Sequence, residues 1–410
     1  MRRALVIGGS LGGLLAAHLL RSTGWDAVVF ERNAEDLTGR GAGVSTHPQL
    51  IDILHRVGID FDESMGVKVD TVICLDKDGR TYLETETART MSSWGRLYRS
   101  LRDALPPDSY RLGRSLVRVE QEADGVIALF ADGARARGDL LIGADGVRST
   151  VREQFLPDVV PQYAGYVAWR AMLDENEVPP DIRAEIFERY TFCLPEGELF
   201  LAYPVPGRNN ETQPGHRAYN IVWYRPTHPD TLADLCTDVS GRRHGTAIPP
   251  PLIRPDVTAA IKSTARALVA PQVAEIFART PQPFFQPIFD LDSPQTVFGR
   301  VALLGDAAFV ARPHVGAGVT KAALDAASLA DAVGEDVVSG LLRYQREQKP
   351  FGSGLVALGR QEGAYLSAQL KPREERSTAE LTRDVNDVLI AHNSRTESLR
   401  QVLEDSRRGV

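Results

Sequence analysis

Cysteine is nearly missing from this sequence: Cys74, Cys193 and Cys236 are the three in 410 residues, far apart and without a C-x-x-C pair. That scarcity excludes a disulfide framework and a thiolate zinc site, so no metal centre is expected, and it suits a reducing, cytoplasmic setting. A basic excess is missing too. The formal net charge is −7, whereas a nucleic-acid binder would carry surplus lysine and arginine. Beyond the opening residues no run of 18 apolar residues occurs, which excludes a membrane span. Internal repeats and low-complexity tracts are also lacking. What remains, with 43 % hydrophobic and 25 % charged residues, is the balance of a soluble globular enzyme with two or three lobes.

The opening stretch, ALVIGGSLGGLLAAHLL (residues 4–20), follows two arginines and is apolar enough to pass for an export signal. Its periodicity says otherwise. Ala4 to Ile7 reads as a buried strand, Gly8 to Gly13 as a turn, and Leu14 to about Gly24 as an apolar helix. The second strand, DAVVFER, follows at once, and no small-residue cleavage site intervenes. This is a βαβ unit with a dinucleotide fingerprint on Gly8, Ser10 and Gly13. Ser10, in the middle position, is small enough to admit a pyrophosphate and has a hydroxyl to donate. Leu11 and the residues after it open a helix whose free N–H groups and dipole favour an anion. Glu31, 18 residues past Gly13, is placed to take a ribose hydroxyl, the alternative being a solvated strand-end charge. Arg32 beside it can reach the adenosine half.

Downstream, LVRVEQEADGVIALFADGARARGDLLIGADG alternates around two D-G turns, a β-meander delivering a buried strand to Asp145–Gly146. Residues 157–290 read as a mostly antiparallel sheet forming a second lobe. RVALLGDAA is again a buried strand with a special turn, GVTKAALDAASLADAV is a helix, and the charged tail from about 341 reads as solvated or dimer-side helix without chemistry. Asp145 and Asp306 each follow a buried strand and can accept from sugar or ribityl hydroxyls; the alternative for either is a turn or cap. The segment Pro313 to Gly318, including Gly316 and Ala317, leads into a helix N-terminus suited to negative charge.

These three motifs, in this order and spacing, resemble the class A flavoprotein monooxygenases of the para-hydroxybenzoate hydroxylase fold. GGSLGGLLAA, YAGYVAWRA, AYPVPGRNNE and GDAAFVARPH look most like the pyridine-ring hydroxylating branch around 2,6-dihydroxypyridine 3-hydroxylase. The fold implied is α/β: a Rossmann-like FAD-binding domain with an interleaved antiparallel-sheet substrate domain and a C-terminal helical tail. The expected FAD domain is discontinuous (1–70, 95–156 and 286–340), the substrate domain spans 71–94 and 157–285, and the tail 341–410. The resemblance implies FAD, reduced by NADH or NADPH docking transiently, and a flavin hydroperoxide that hydroxylates an electron-rich hydroxypyridine or phenolic ring with O2. It also implies a homodimer, and further cofactor contacts at Arg40, Ser45 and Arg99. Two departures stand out. Tyr98 falls where the family commonly has a helix-opening arginine, leaving Arg99 next door, and Phe309 replaces a frequent histidine, which puts any proton relay through that position in doubt.

The chemistry needs a base of near-neutral pKa, a dry site and aromatic walls. Histidine titrates in that range unaided, so His47 and His314 are candidate bases. Tyr203 and Tyr219 are candidate partners of the ring, with capping of the sheet core as the alternative; His216, Cys193 and Pro313 join them as substrate-side candidates. His55, His228, His244 and His392 receive the ordinary structural reading, Trp169 and Trp223 read as packing, and Lys321 as serving its helix face. Two other functions fit the same fold: a flavin-dependent halogenase, whose W-x-W-x-I-P stretch and reactive lysine are lacking here, and a flavoprotein that sequesters a ligand without turnover.

Overall fold

In the computed structural model, which describes residues 2–37 and 43–408, the opening stretch folds as strand Arg3–Ile7, glycine turn and helix Leu11–Ser22. Arg3–Ile7 lies between Leu140–Gly143 and Asp26–Phe30, both parallel to it, and the order Val297–Phe298, Val301–Leu303, Leu140–Gly143, Arg3–Ile7, Asp26–Phe30, Tyr110–Arg111 makes a six-stranded sheet. Parallel strands need cover on both faces. Ala4, Val6 and Ile142 pack under the helices Leu11–Ser22 and Gly318–Ala332. Leu5, Val28 and Phe30 pack under the predicted meander, here a three-stranded sheet contributing Val119, Val126 and Phe130.

A nine-stranded sheet runs Phe309–Val310, Phe284–Asp292, Gln162–Asp174, Ala218–Pro226, Leu199–Val205, Tyr190–Cys193, Gly66–Leu75, Thr81–Ser93, Gly43–Ser45. It is antiparallel except where Tyr190–Cys193 pairs parallel with Gly66–Leu75. The expected boundaries at 70/71 and 285/286 therefore fall inside strands. Side chains alternate between two faces. The outer face, with Trp169, Phe200, Tyr219, Ile221 and Trp223, is covered by the helices Pro180–Ile186, Pro229–Leu235, Pro255–Leu268 and Pro271–Arg279. The sequence reading of 157–290 omitted these helices, although each opens on a proline, the residue favoured at the first helical position.

The tail is also corrected. Val337–Glu362 buries Leu341, Tyr344, Phe351 and Leu355, and Leu366 and Leu389 beyond it join the core of the sheet's inner face. The solvated reading fails because these apolar side chains have a sheet face to cover. Phe309 is buried against the same long helix, where a Cβ on Gly352 would lie 2.3 Å from its ring; it packs rather than relays protons. Among the described residues no helix is long and apolar enough to cross a membrane.

Candidate active site

A hollow of about 630 Å³ opens over the carboxyl ends of the parallel strands, lined by Gly8, Gly9, Ser10, Glu31, Arg32, Asp145 and Gly146 among others. Its volume lies in the range of small-molecule sites, about 300–1,000 Å³. The glycines are there because nothing larger fits. Gly8 has φ +107° and a Cβ on it would sit 2.3 Å from the Ala144 carbonyl oxygen; one on Gly13 would sit 2.0 Å from the Gly8 oxygen. Gly9, which the fingerprint did not single out, is equally tight against the Tyr110 hydroxyl, at 2.2 Å. Ser10 is the N-cap of the first helix and its exposed side chain makes no capping bond, leaving the hydroxyl for a ligand. Leu11 is buried, so it can offer only backbone.

Glu31 is 5 % exposed, and its carboxylate accepts from the Gly9 and Asn33 backbone N–H groups at 2.9 Å each. It braces the cradle and keeps lone pairs for a ribose hydroxyl. Asp145 follows the capping alternative: it accepts from Ser149 Oγ, Thr150 N and Val151 N at 2.5, 2.8 and 3.2 Å, fixing the turn that presents Gly146. Tyr98, in the place of the family's arginine, is buried and hydrogen-bonds the Tyr110 hydroxyl, which donates to the Gly9 carbonyl. Arg99 and Ser45 do not line the hollow, and Arg40 lies outside the described residues.

The second carboxylate turn is open. Asp306 sits in the 3-10 turn Gly305–Ala307, exposed although protein surrounds it, and no described residue hydrogen-bonds its carboxylate. The surrounding protein pushes its carboxyl up, against the pull of Lys321. Lys321, read as serving its helix face, pairs with Asp325 one turn on along the same helix. It is 1 % exposed and lies 3.5 Å from Asp325, which in turn accepts from Gly305 N at 3.0 Å. This buried pair holds the turn from beneath. Pro313 and Gly318 are exposed, and the helix beginning at Gly318 has neither a capping side chain nor an acid in its first turn, so its N–H groups face outward unpartnered by side chains. Three features fit FAD: a cradle that a Cβ would fill, an unpartnered strand-end carboxylate and a free helix N-terminus. Ser10, Glu31 and Gly146 would hold its nucleotide half, and Asp306 with the Gly316–Gly318 backbone its ribityl and ring end.

The inner face of the large sheet is aromatic: Tyr166, Tyr190, Tyr203 and Tyr224 lie on it, with Arg170 and Asn220 among them. Burial pushes the Tyr166, Tyr203 and Tyr224 phenols up, so they remain protonated donors at neutral pH. Tyr203 stacks on Tyr190 with centroids 4.8 Å apart, and Gly43 backs onto it so closely that a Cβ would meet its ring at 2.6 Å. Arg170 Nε and Asn220 Nδ2 are buried without partners among the described residues. Sequence reasoning missed both; only strand register reveals them.

Three substrate-side candidates are misplaced. Tyr219 points to the outer face, bonding Thr191 Oγ1 at 3.0 Å, because its neighbour Asn220 is the residue paired with Tyr203. Cys193 is on that outer face too, its thiol pushed up to about 12 by burial. His216 is exposed in the turn before Ala218–Pro226. Trp169 and Trp223 pack as expected, against Phe285 and Phe277.

Burial lowers the pKa of both candidate bases. His47 is 1 % exposed; its Nε2 donates to the Gly316 carbonyl at 3.1 Å, and burial lowers its pKa. It braces the turn. His314 bonds the Tyr166 hydroxyl at 2.8 Å beneath Tyr224, and burial, then Arg395, pushes it down to about 3. A histidine with a folded pKa below the unfolded 6.5 stabilises the neutral form. Between those values the unfolded chain binds the extra proton, so stability is complete above about pH 6.5 and drains away as pH falls. His314 alone should cost ~2 kcal/mol by pH 5. Urea melts at pH 7 and 5 are expected to show this loss, and His314→Gln should reduce the difference; equal pH dependence in both proteins would refute the assignment.

Comparison with known proteins places this geometry. A family model described as FAD binding domain-like matches residues 163–290. The 2,6-dihydroxypyridine 3-monooxygenase of Paenarthrobacter nicotinovorans is 34 % identical over 331 residues, 80 % of this chain and 82 % of the relative. The structure of 2,6-dihydroxypyridine-3-hydroxylase from Arthrobacter nicotinovorans superposes with a TM-score of 0.84 at 30 % identity, covering 93 % of this chain and 96 % of that one. Klebsiella pneumoniae HpxO, complexed with FAD and uric acid, superposes at 0.76 with 25 % identity over 97 % of both chains.

Proposed function

The chain belongs to the FAD-dependent aromatic-ring monooxygenases, and from that premise we propose that it hydroxylates a hydroxypyridine or related phenol on the inner face of the nine-stranded sheet. The observation carrying this is the Tyr166–His314 bond, which joins the aromatic face to the turn Pro313–Val315 leading into the helix at Gly318. The six-stranded unit serves FAD and the nine-stranded sheet the ring. FAD, when bound, supplies electron transfer from NAD(P)H, the family's usual donor, and the activation of O2. The chain's residues do the rest. Tyr203 and Tyr224 hold the flat ring by stacking and by phenol donors, while Arg170 and Asn220 offer buried N–H groups to its substituents. A positive potential and donors of this kind favour the ionised ring, which is the form rich enough in electrons to react. Helices of the tail exclude water.

The halogenase alternative finds no support: Trp169 packs on the outer face and Lys321 is buried against Asp325. A homodimer is part of the proposal, and light scattering checks it. The central test is NADH and NADPH oxidation with a panel of hydroxypyridines and phenols, hydrogen peroxide being measured in parallel. The correct ring is expected to accelerate oxidation with little peroxide. If every ring leaves the rate unchanged while FAD stays bound, the protein is a ligand binder and the proposal is wrong.

A further inference from the structure

A second hollow, of about 420 Å³, lies between the inner face and the tail helices, bounded by Phe192, Leu199, His314, His392 and Arg395. None of its lining residues borders the phosphate cradle. His392, which sequence reasoning set aside, is its most unusual member. The side chain is 2 % exposed, with its ring centroid 4.2 Å from that of Tyr190, and both ring nitrogens are buried without a partner among the described residues. Buried polar atoms are rarely left so unless a ligand completes them. Arg89 holds His392 in place by donating to its backbone carbonyl.

Arg395, at the start of helix Arg395–Arg408, makes no hydrogen bond or ion pair with the described residues. It lies against the flavin-side turn, where a Cβ on Gly316 would be 3.3 Å from its Nη1. Two acids share the hollow: Asp387 is exposed, and the Glu362 carboxyl, raised by burial, is drawn back down by Arg395. Arg89 feels the same charge, being pushed down to about 10 by burial and then by Arg395.

We propose that the tail completes the substrate site, with His392 and Arg395 together binding an anionic oxygen, an ionised ring hydroxyl or a carboxylate, on the aromatic substrate. The inference rests on the hydroxylase reading and adds the charge its substrate carries. The neutral His392 ring donates one N–H, Arg395 supplies the opposite charge, and the stacked Tyr190 and Tyr203 hold the ring between this hollow and the flavin-side turn.

The test is calorimetric titration of the FAD-loaded protein with 2,6-dihydroxypyridine, 4-hydroxybenzoate and the neutral 4-hydroxybenzamide. One of the two anionic probes is expected to bind about 10-fold or more tighter than the amide, and which one does so identifies the oxygen. Arg395→Gln, partly exposed and without partners to lose, should weaken that probe about 10-fold and leave the amide within about twofold. His392→Phe should do the same, with His392→Gln recovering part of the affinity. If Arg395→Gln binds the anion as the parent does while rings still stimulate NADH oxidation, this inference falls and the hydroxylase reading stands. If no ring of either charge binds the parent, both fall.

Discussion

Gly9→Ala is expected to yield a protein that has lost its yellow colour. The new Cβ would lie 2.2 Å from the Tyr110 hydroxyl oxygen and 2.8 Å from Glu31 Cβ. Neither can retreat. Tyr110 is 5 % exposed and tied to Tyr98 and to the Gly9 carbonyl, and Glu31 is held by two backbone N–H groups. The clash must be relieved by moving Gly9 itself, which drags the first phosphate-facing N–H groups out of position and breaks the bond to Glu31. Overpacking of this kind costs ~1–3 kcal/mol, and charged to cofactor binding that is about 5- to 150-fold in FAD affinity. The check is flavin content after desalting and the Kd for added FAD. Because the cause is local crowding, Tyr110→Leu should make room, and Gly9→Ala in that background should lose much less than in the parent. Equal losses in both backgrounds would show that the tyrosine is not the obstacle.

Arg312→Met should give the largest loss of stability outside the cradle. Arg312 is the residue before the flavin-side turn, and its guanidinium bonds Asp290 at 2.8 and 3.0 Å and Ser367 Oγ at 2.6 Å, joining turn, sheet and tail. Both members of the pair are under 10 % exposed. Methionine keeps the apolar stem and leaves Asp290 with Arg360, at 3.4 Å and half exposed. Removing one partner of a buried pair costs ~3–5 kcal/mol, and Arg360 places the expectation near the lower end. Chemical denaturation of the FAD-loaded protein measures it; a change below about 1 kcal/mol would show that the pair is dispensable. Asp290→Asn added to Arg312→Met should return part of the loss, since an amide is cheaper to bury than an unpaired carboxylate. The same loosening frees His314 on the turn, so NADH consumption should drain into peroxide.

Much of the proposed cofactor site was legible because its signals are local. The spacing Gly8, Ser10, Gly13 and Glu31 is set by one strand, one turn and one helix, although the crowding that requires Gly8 comes from Ala144, far along the chain. Asp306 was legible for the same reason: strand, small residue, carboxylate. Asp145 was ambiguous, since the same pattern serves a cap, and the cap won. The substrate side was much less readable. Tyr203 and Tyr219 have the same chemistry in adjacent strands, yet the pairing of Tyr203 with Asn220 sends one to the inner face and the other to the outer. Histidine carries a near-neutral pKa as a free side chain, and burial lowers it for His47, His314 and His392.

The amino-acid order alone determined the strand, glycine turn and helix that suit a dinucleotide, because backbone conformation and periodicity are properties of neighbours in the chain. The folded molecule decided which aromatic residues share the inner face of the large sheet, and that His392 and Arg395, late in the chain, meet Tyr190 and Gly316. Those meetings depend on register and long-range packing, where a shift of one residue reverses every side chain and no short stretch carries the answer.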